Sequence, residues 1–457
     1  TGRLSRAPAM QFANARQFHM SIATVYTRCF LVWFLPTILA LEVHEGHQAQ
    51  HATYLSRRNN QKRRKSATQQ GSRLAVEIDP HGAHQVQVTT PLEDMSSEYT
   101  GVIGVGTSSF GGPQFEARVV FDTGSTNLWV SSVLCKAFPC DEQQNSYDPS
   151  SSLTSEEYSE ATGDIDIMFG TGELKGPLHV DTYHVGPMQV DHQPFAMIRE
   201  MSGEVFASFP FEGILGLAFP SLSFGGIEPF FERVIEKKLL KRNEFAFYLN
   251  ADSAGPSALL WGGVDKDLYE GDIVMFPVTK PHYWALELVD FRLGNRSLLD
   301  DESSRTKYLI VDTGTTYFTA PSSIYDVIVN TFAEAPCSQV GSYLPLTYVL
   351  RSGSTETFNL EVTQETYMVG DDSDTCTPAF MKLNIKKQYG PAMILGEVFM
   401  RHFFTVFSRG NGDLKEAKVG FAKAKLGMTP KVSPNGGSDR TVVQTQEASL
   451  MRRAPEH

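Results

Sequence analysis

Val119-Val120-Phe121-Asp122-Thr123-Gly124-Ser125-Thr126 and Leu309-Ile310-Val311-Asp312-Thr313-Gly314-Thr315-Thr316 are one phrase written twice. Each is an apolar, strand-like run that ends in Asp-Thr-Gly and a hydroxyl residue. Each also has a sequel. Gly213-Ile214-Leu215-Gly216 places Ile214 92 residues after Asp122, and Met393-Ile394-Leu395-Gly396 places Ile394 82 residues after Asp312. A single triplet of common residues says little, but two in matching contexts with matching sequels mark an internal duplication. The duplication predicts an all-β chain of two similar lobes related by a pseudo-twofold axis, with a few short helices and a central cleft. Equivalent residues meet at such an axis, so Asp122 and Asp312 are predicted to face each other.

The residue types around each Asp have a physical logic. The apolar strand buries the backbone below the carboxyl, and Gly124 and Gly314 let the chain turn tightly with an N–H near it. Ser125 and Thr315 can donate to an ionised carboxylate, while Thr123 and Thr313 can bond across the lobe interface. Two carboxyls held within a few ångströms cannot both ionise cheaply, so they share a proton and titrate as a pair. Such a pair can accept a proton from water through one oxygen and donate one through another, without metal or cofactor.

Composition narrows the surroundings. Residues 1–91 carry 11 Lys/Arg against 4 Asp/Glu, whereas residues 92–424 carry 24 against 45. A body this acidic argues against a nucleic-acid partner, since phosphate binding needs a basic surface. The most apolar stretch, Cys29–Val43, has the length of a signal-peptide core and falls short of the about 20 residues of a membrane span. Residues 1–43 therefore read as a signal peptide, starting at Met20, or as a signal-anchor region. Residues 44–91 are polar, with a basic run Lys62-Arg63-Arg64-Lys65, and read as a prosegment or linker. His44-Glu45-Gly46-His47 lacks the HExxH spacing of a metal-binding helix. Cys135, Cys140, Cys337 and Cys376 are compatible with two local disulfides in separate halves, or with four free thiols; they lack zinc-site spacing.

From about residue 97 short β-rich runs (Thr100–Val105, Ala117–Phe121, Ile165–Phe169, Ser257–Trp261) alternate with turn-forming clusters. Helices are predicted at Ile227–Leu240 and Ser322–Ala333. The predicted organisation is a first lobe over 92–280, a second over 281–424 and a disordered tail over 425–457.

Three segments carry a resemblance. Phe121–Val130, Phe211–Ala218 and Ile394–Phe399 match the motifs of the pepsin family almost letter for letter, and residues 92–423 are similar to nearly its whole mature body. The resemblance implies the bilobal pepsin-like fold and an aspartic endopeptidase made as a zymogen, with Asp122 and Asp312 catalytic. Thr123, Gly124, Ser125, Thr313, Gly314 and Thr315 would support them. It implies disulfides Cys135–Cys140 and Cys337–Cys376, and no cofactor or metal. The partners would be protein or peptide substrates and pepstatin-like or hydroxyethylamine-type inhibitors of a monomer in the secretory pathway. A β-hairpin flap would map onto Ile167–Glu173, with Phe169, Gly170, Thr171, Trp129 and Tyr283 against the substrate and Trp284 near the cleft.

The flap departs from the family pattern. Most members carry Tyr before Gly-Thr-Gly, and that phenol bonds the indole equivalent to Trp129; this chain has Phe169. With Ser257–Asp265, the Phe flap is similar to the apicomplexan plasmepsin IX and X and toxomepsin 3 type, maturases of secretory-organelle proteins. A silent pepsin-fold binding protein would have lost an Asp, Gly or hydroxyl, and both triads are intact. A glycosidase also uses two carboxylates, without needing duplicated Asp-Thr-Gly turns. Asn295-Arg296-Ser297 is a glycosylation sequon, and His192, His282 and His402 read as isolated structural or exposed residues.

Overall fold

The computed structural model describes residues 87–95, 98–140, 145–159, 164–169, 172–203, 206, 211–251, 255–299, 306–370, 374–385 and 390–431, which belong to a single packed unit. The apolar run at 29–43, the His44–His47 stretch, the basic run and the chain beyond 431 lie outside the described residues.

The repeated sequence is a repeated strand pairing. In the first half, Phe115–Asp122 runs parallel to Gly213–Gly216, with Asp122 opposite Gly216. Gly213–Gly216 runs antiparallel to Leu128–Ser131, which runs parallel to Met188–Ile198. The second half repeats each relation. Tyr308–Val311 is parallel to Ala392–Leu395, which is antiparallel to Phe318–Ala320, which is parallel to Phe380–Lys382. Gly213–Gly216 and Ala392–Leu395, paired on both edges, are buried throughout and carry only apolar residues and glycine.

A six-stranded antiparallel sheet ties the halves together, in the order Val88–Asp94, Ser257–Trp261, Glu244–Tyr248, Phe403–Ser408, Lys418–Ala424, Tyr269–Pro281. At its middle Phe245 opposes Phe407, and their rings stack at 5.0 Å. Beside this sheet Arg409, almost fully buried, makes an ion pair with Glu232, donates to the Gly412 carbonyl at 2.9 Å and lies over the Phe219 ring. An acid from one half and a guanidinium from the other thus satisfy each other where a lone buried charge would be costly.

The four strand runs read from sequence fall within Tyr99–Val105, Phe115–Asp122, Asp164–Phe169 and Ser257–Trp261. The helices are shorter than expected. The first spans Phe230–Glu236 rather than 227–240. Pro229 caps its start, and at its end Lys238 adopts φ 53°, so that Lys238 N–H bonds Ile235 O and Leu239 N–H bonds Val234 O. That is a left-handed helix stop, and Leu239 then packs on the core through a contact that periodicity alone counted as helical. The second spans Ser322–Thr331, ending where Phe332 leaves helical geometry to bury its ring. Among the described residues, no helix is long and apolar enough to cross a membrane.

Candidate active site

Asp122 and Asp312 end equivalent strands and are both fully buried. The turn after each is stapled to the opposite strand. Thr123 N–H donates to Thr313 Oγ1 at 2.9 Å, and Thr313 N–H donates to Thr123 Oγ1 at 3.0 Å. The same hydroxyls donate onward across the interface, Thr123 to Val311 O at 2.9 Å and Thr313 to Phe121 O at 2.6 Å. Every polar group of this buried cross-link is satisfied by its counterpart, so it fixes the lobes in register without orphaned donors.

Within each turn the carboxyl is cradled identically. Gly124 N–H reaches Asp122 Oδ1 and Gly314 N–H reaches Asp312 Oδ1, each at 2.8 Å. Ser125 donates to Asp122 Oδ2, and Thr315 to Asp312 Oδ2 at 2.7 Å. Each glycine also lies on the other lobe's carboxyl. A Cβ added at Gly124 would sit 2.5 Å from both Asp312 oxygens, and one at Gly314 would collide with Asp122 Oδ1. Glycine is required here for close approach as well as for the turn.

The two sequels serve the same turns. Leu217 N–H bonds Asp122 O at 2.7 Å and Ala218 N–H bonds Ser125 O at 2.8 Å; in the second half Asp312 N–H bonds Leu395 O at 3.0 Å and Glu397 N–H bonds Thr315 O at 2.8 Å. A Cβ on Gly216 would lie 2.7 Å from Thr126 N, and one on Gly396 would meet the Thr315 and Tyr317 carbonyls. That contact explains why apolar-apolar-Gly follows each Asp-Thr-Gly.

Burial away from water raises both acids, Asp122 well above the usual carboxylate range, and the neighbouring Asp312 charge raises Asp122 further. The donors from Ser125, Gly124, Thr315 and Gly314 oppose this only in part. Carboxyls that interact this way titrate as a pair rather than as separate groups.

The remaining residues singled out from sequence fall as follows. Asp164–Phe169 and Gly172–Val185 form the expected hairpin, with Phe169 opposite Gly172. Gly170, Thr171 and the Phe169 side chain lie outside the described residues. Trp129 is buried with Ile165, Ile167 and Leu174 of that hairpin and with Cys135 and Cys140, which are disulfide-bonded to each other. Cys337 and Cys376 form the second disulfide. Tyr283 is buried with Ala285, Ile310 and Ile394, and extending the Ala285–Ile310 pairing by two residues brings it level with Asp312. Trp284, expected near the cleft, turns into the core, where its indole N–H donates to Leu217 O at 2.9 Å and its ring packs on Phe219 at 4.6 Å. Alternation along the strand sends the neighbours Tyr283 and Trp284 to opposite faces. His282 is exposed and bonds Ser221 across the halves at 2.6 Å. Among the described residues no cluster of His, Cys, Asp and Glu is arranged to hold a metal ion.

Sequence reasoning missed one charged cluster beside the site. Glu397, fully buried directly after the second sequel, accepts from Tyr99 N–H at 3.0 Å. Arg401, one helical turn on, lies over the Tyr99 ring and 4.0 Å from Asp94. Buried Glu98 adds a further acid to the group. The Glu397–Arg401 spacing of four was the available signal, but nothing in the sequence marked Glu397 as buried.

Fold and site together define a class: duplicated β lobes that bring one buried carboxyl pair to their shared axis. Residues 98–424 match the model of the eukaryotic aspartyl protease family. Over 350 residues the chain is 37% identical to Aspartic protease 3 of Toxoplasma gondii, covering 74% of this chain and 52% of that protein. It is 32% identical to Plasmepsin IX of Plasmodium falciparum, covering 74% of this chain and 63% of that one. Against Pepsin A of Sus scrofa it is 32% identical over 73% of this chain and 83% of pepsin. The matched stretch thus spans about half the length of the Toxoplasma relative and less than two thirds of the Plasmodium one. The chain belongs to the eukaryotic aspartyl protease family.

The cluster makes stability depend on pH. Desolvation raises Glu397 well above the usual glutamate range, Arg401 counteracts in part, and Glu98 adds to the rise. The folded protein therefore keeps a proton that the unfolded chain releases as pH rises through that range. Stability is greatest below it and falls with rising pH, by about 1.4 kcal/mol per pH unit for each such proton until the folded group ionises. Urea midpoints measured from acid to neutral pH should fall, and Glu397→Gln should flatten that fall. Parallel profiles for the two proteins would refute the assignment.

Proposed function

We propose that this chain is an aspartic endopeptidase that hydrolyses peptide bonds with Asp122 and Asp312 as its catalytic pair. The observation that carries this is the reciprocal threonine cross-link, which holds two buried carboxyls in equivalent cradles. In the reaction the ionised oxygen takes a proton from a water, whose oxygen attacks the peptide carbonyl carbon. The protonated oxygen donates to the carbonyl oxygen as the tetrahedral centre forms. Collapse breaks the C–N bond as the protonated Asp gives its proton to the leaving nitrogen and the ionised Asp takes one from a hydroxyl of the tetrahedral centre, so the pair again holds one proton. Because the cradles are equivalent, neither Asp is permanently the acid or the base.

Thr123, Gly124, Ser125, Thr313, Gly314 and Thr315 position the pair. Substrates would be proteins or peptides with apolar residues at the scissile bond, lying in an extended form between the pair and the hairpin at 164–185. Phe169, Gly170 and Thr171 of that hairpin, with Trp129 behind it and Tyr283 beside Asp312, would shape the binding surface. Pepstatin-like and hydroxyethylamine-type inhibitors, whose hydroxyl stands in for the attacking water, would compete. Two disulfides and the apolar run at 29–43 support synthesis in the secretory pathway, where the enzyme would process secreted proteins as a monomer. Residues 44–87 would be a prosegment, four residues shorter than the 44–91 read from sequence. The seating of Val88–Leu92 against Trp261–Ser257 favours an activating cut before Val88.

The activated protein should cleave such a peptide at acid pH and be blocked by a pepstatin-type inhibitor. Asp122→Asn and Asp312→Asn should each lower kcat by at least about 1,000-fold, since neither can then exchange the shared proton. Absence of hydrolysis at every pH, with Asp122→Ala still binding the peptide, would make the protein a binding module instead.

Phe169 has no phenol with which to tie the hairpin to Trp129, so the flap should close as an apolar lid held less firmly than one with Tyr. Phe169→Tyr should tighten the inhibitor by about 1 kcal/mol, a several-fold change in Ki. Unchanged inhibitor affinity and peptide kinetics would contradict this reading of the flap.

A further inference from the structure

Asn295-Arg296-Ser297 is the only Asn-X-Ser/Thr sequence in all 457 residues. The structure puts it at the apex of a tight hairpin. Trp284–Leu293 turns into Arg296–Ser297 with Leu293 opposite Arg296, which leaves a two-residue loop of Gly294 and Asn295. Gly294 takes φ 55°, the glycine-first pattern of a type II′ turn, and Asn295 is exposed beyond it. Gly294 N–H is tied to Pro345 O at 3.0 Å, and a Cβ on Gly294 would lie 3.3 Å from Leu344 Cδ1. Leu344 is 56% exposed, so a solvent-facing apolar side chain adjoins the asparagine.

We infer that Asn295 is an N-glycosylation site, and that its glycan stands over the exposed Leu344 away from the catalytic pair. In the transfer the Asn295 side-chain nitrogen attacks the anomeric carbon of a lipid-pyrophosphate-linked oligosaccharide. The new N–C bond forms as the C–O bond to pyrophosphate breaks; the nitrogen loses one proton and the lipid pyrophosphate leaves. In the folded hairpin Ser297 Oγ donates to Asp290 at 2.6 Å, so the hydroxyl is free to assist only before the hairpin closes. Transfer therefore precedes folding of this segment. The site is also far from the dyad. Ala285, opposite Ile310, lies eight residues before Leu293 on the same strand, which is roughly 25 Å at the usual strand rise.

The test is to direct the full chain, behind an added signal sequence, into the endoplasmic reticulum of a eukaryotic host. The disulfide-bonded product should carry a peptide-N-glycosidase-sensitive glycan, and release should convert residue 295 to aspartate in its mass spectrum. Asn295→Gln should abolish the mobility shift, and Ser297→Thr should keep it. Peptidase kinetics of the activated Asn295→Gln protein should stay within about two-fold of the glycosylated form, as about 0.4 kcal/mol would allow. A secreted, disulfide-bonded wild-type protein with no glycan would overturn the proposal. A glycan that persists in Asn295→Gln would do so equally.

Discussion

Two threonines, each accepting from the other's amide and each donating to the other's strand, are the interaction on which the site depends. A threonine cross-link of this kind tolerates no slip. Moving one lobe by a single residue would point its carboxyl away from the axis and leave four buried polar groups unpaired, at about 1–3 kcal/mol each. The glycines follow from the same constraint, because the gap between Gly124 and Asp312, and between Gly314 and Asp122, has no room for a side chain. The apolar-apolar-Gly sequels follow in turn, since they must pack directly under those turns.

Holding acids away from water has an electrostatic consequence beyond the pair itself. The segment that supports the Asp312 turn continues into Glu397, so a further buried carboxyl, raised by desolvation as Asp122 and Asp312 are, sits against the start of the first lobe at Tyr99. Arg401 opposes part of the rise at Glu397, while Glu98 and Asp94 add to it. The body is thus built to keep protons at pH values where exposed carboxyls have lost them. The same burial that raises the pair limits the pH range over which the fold is most stable.

Much of this was legible in the sequence because the duplication supplied its own control. Two copies of Asp-Thr-Gly in matched strands predicted the pairing of Asp122 with Asp312 and the role of Thr123 and Thr313, and the structure realises those pairings strand for strand. What sequence could not supply was direction and depth. Tyr283 and Trp284 look alike on paper, yet strand alternation puts one level with Asp312 and the other in the core. The helix read at 227–240 was cut at both ends by Pro229 and by the left-handed Lys238, where local backbone geometry outweighs apolar spacing. The burial of Glu397 was not legible at all, because what meets it and Arg401, Tyr99 and Asp94, lies some 300 residues earlier in the chain.

The central claim is that one proton is shared between Asp122 and Asp312, and neutron diffraction from deuterated crystals of the activated protein at mildly acid pH tests it most directly. The account predicts a single deuteron on the two carboxyls, lying between the inner oxygens, while Ser125 and Thr315 donate to the outer ones. Two carboxylates with no deuteron, or two with one each, would contradict it.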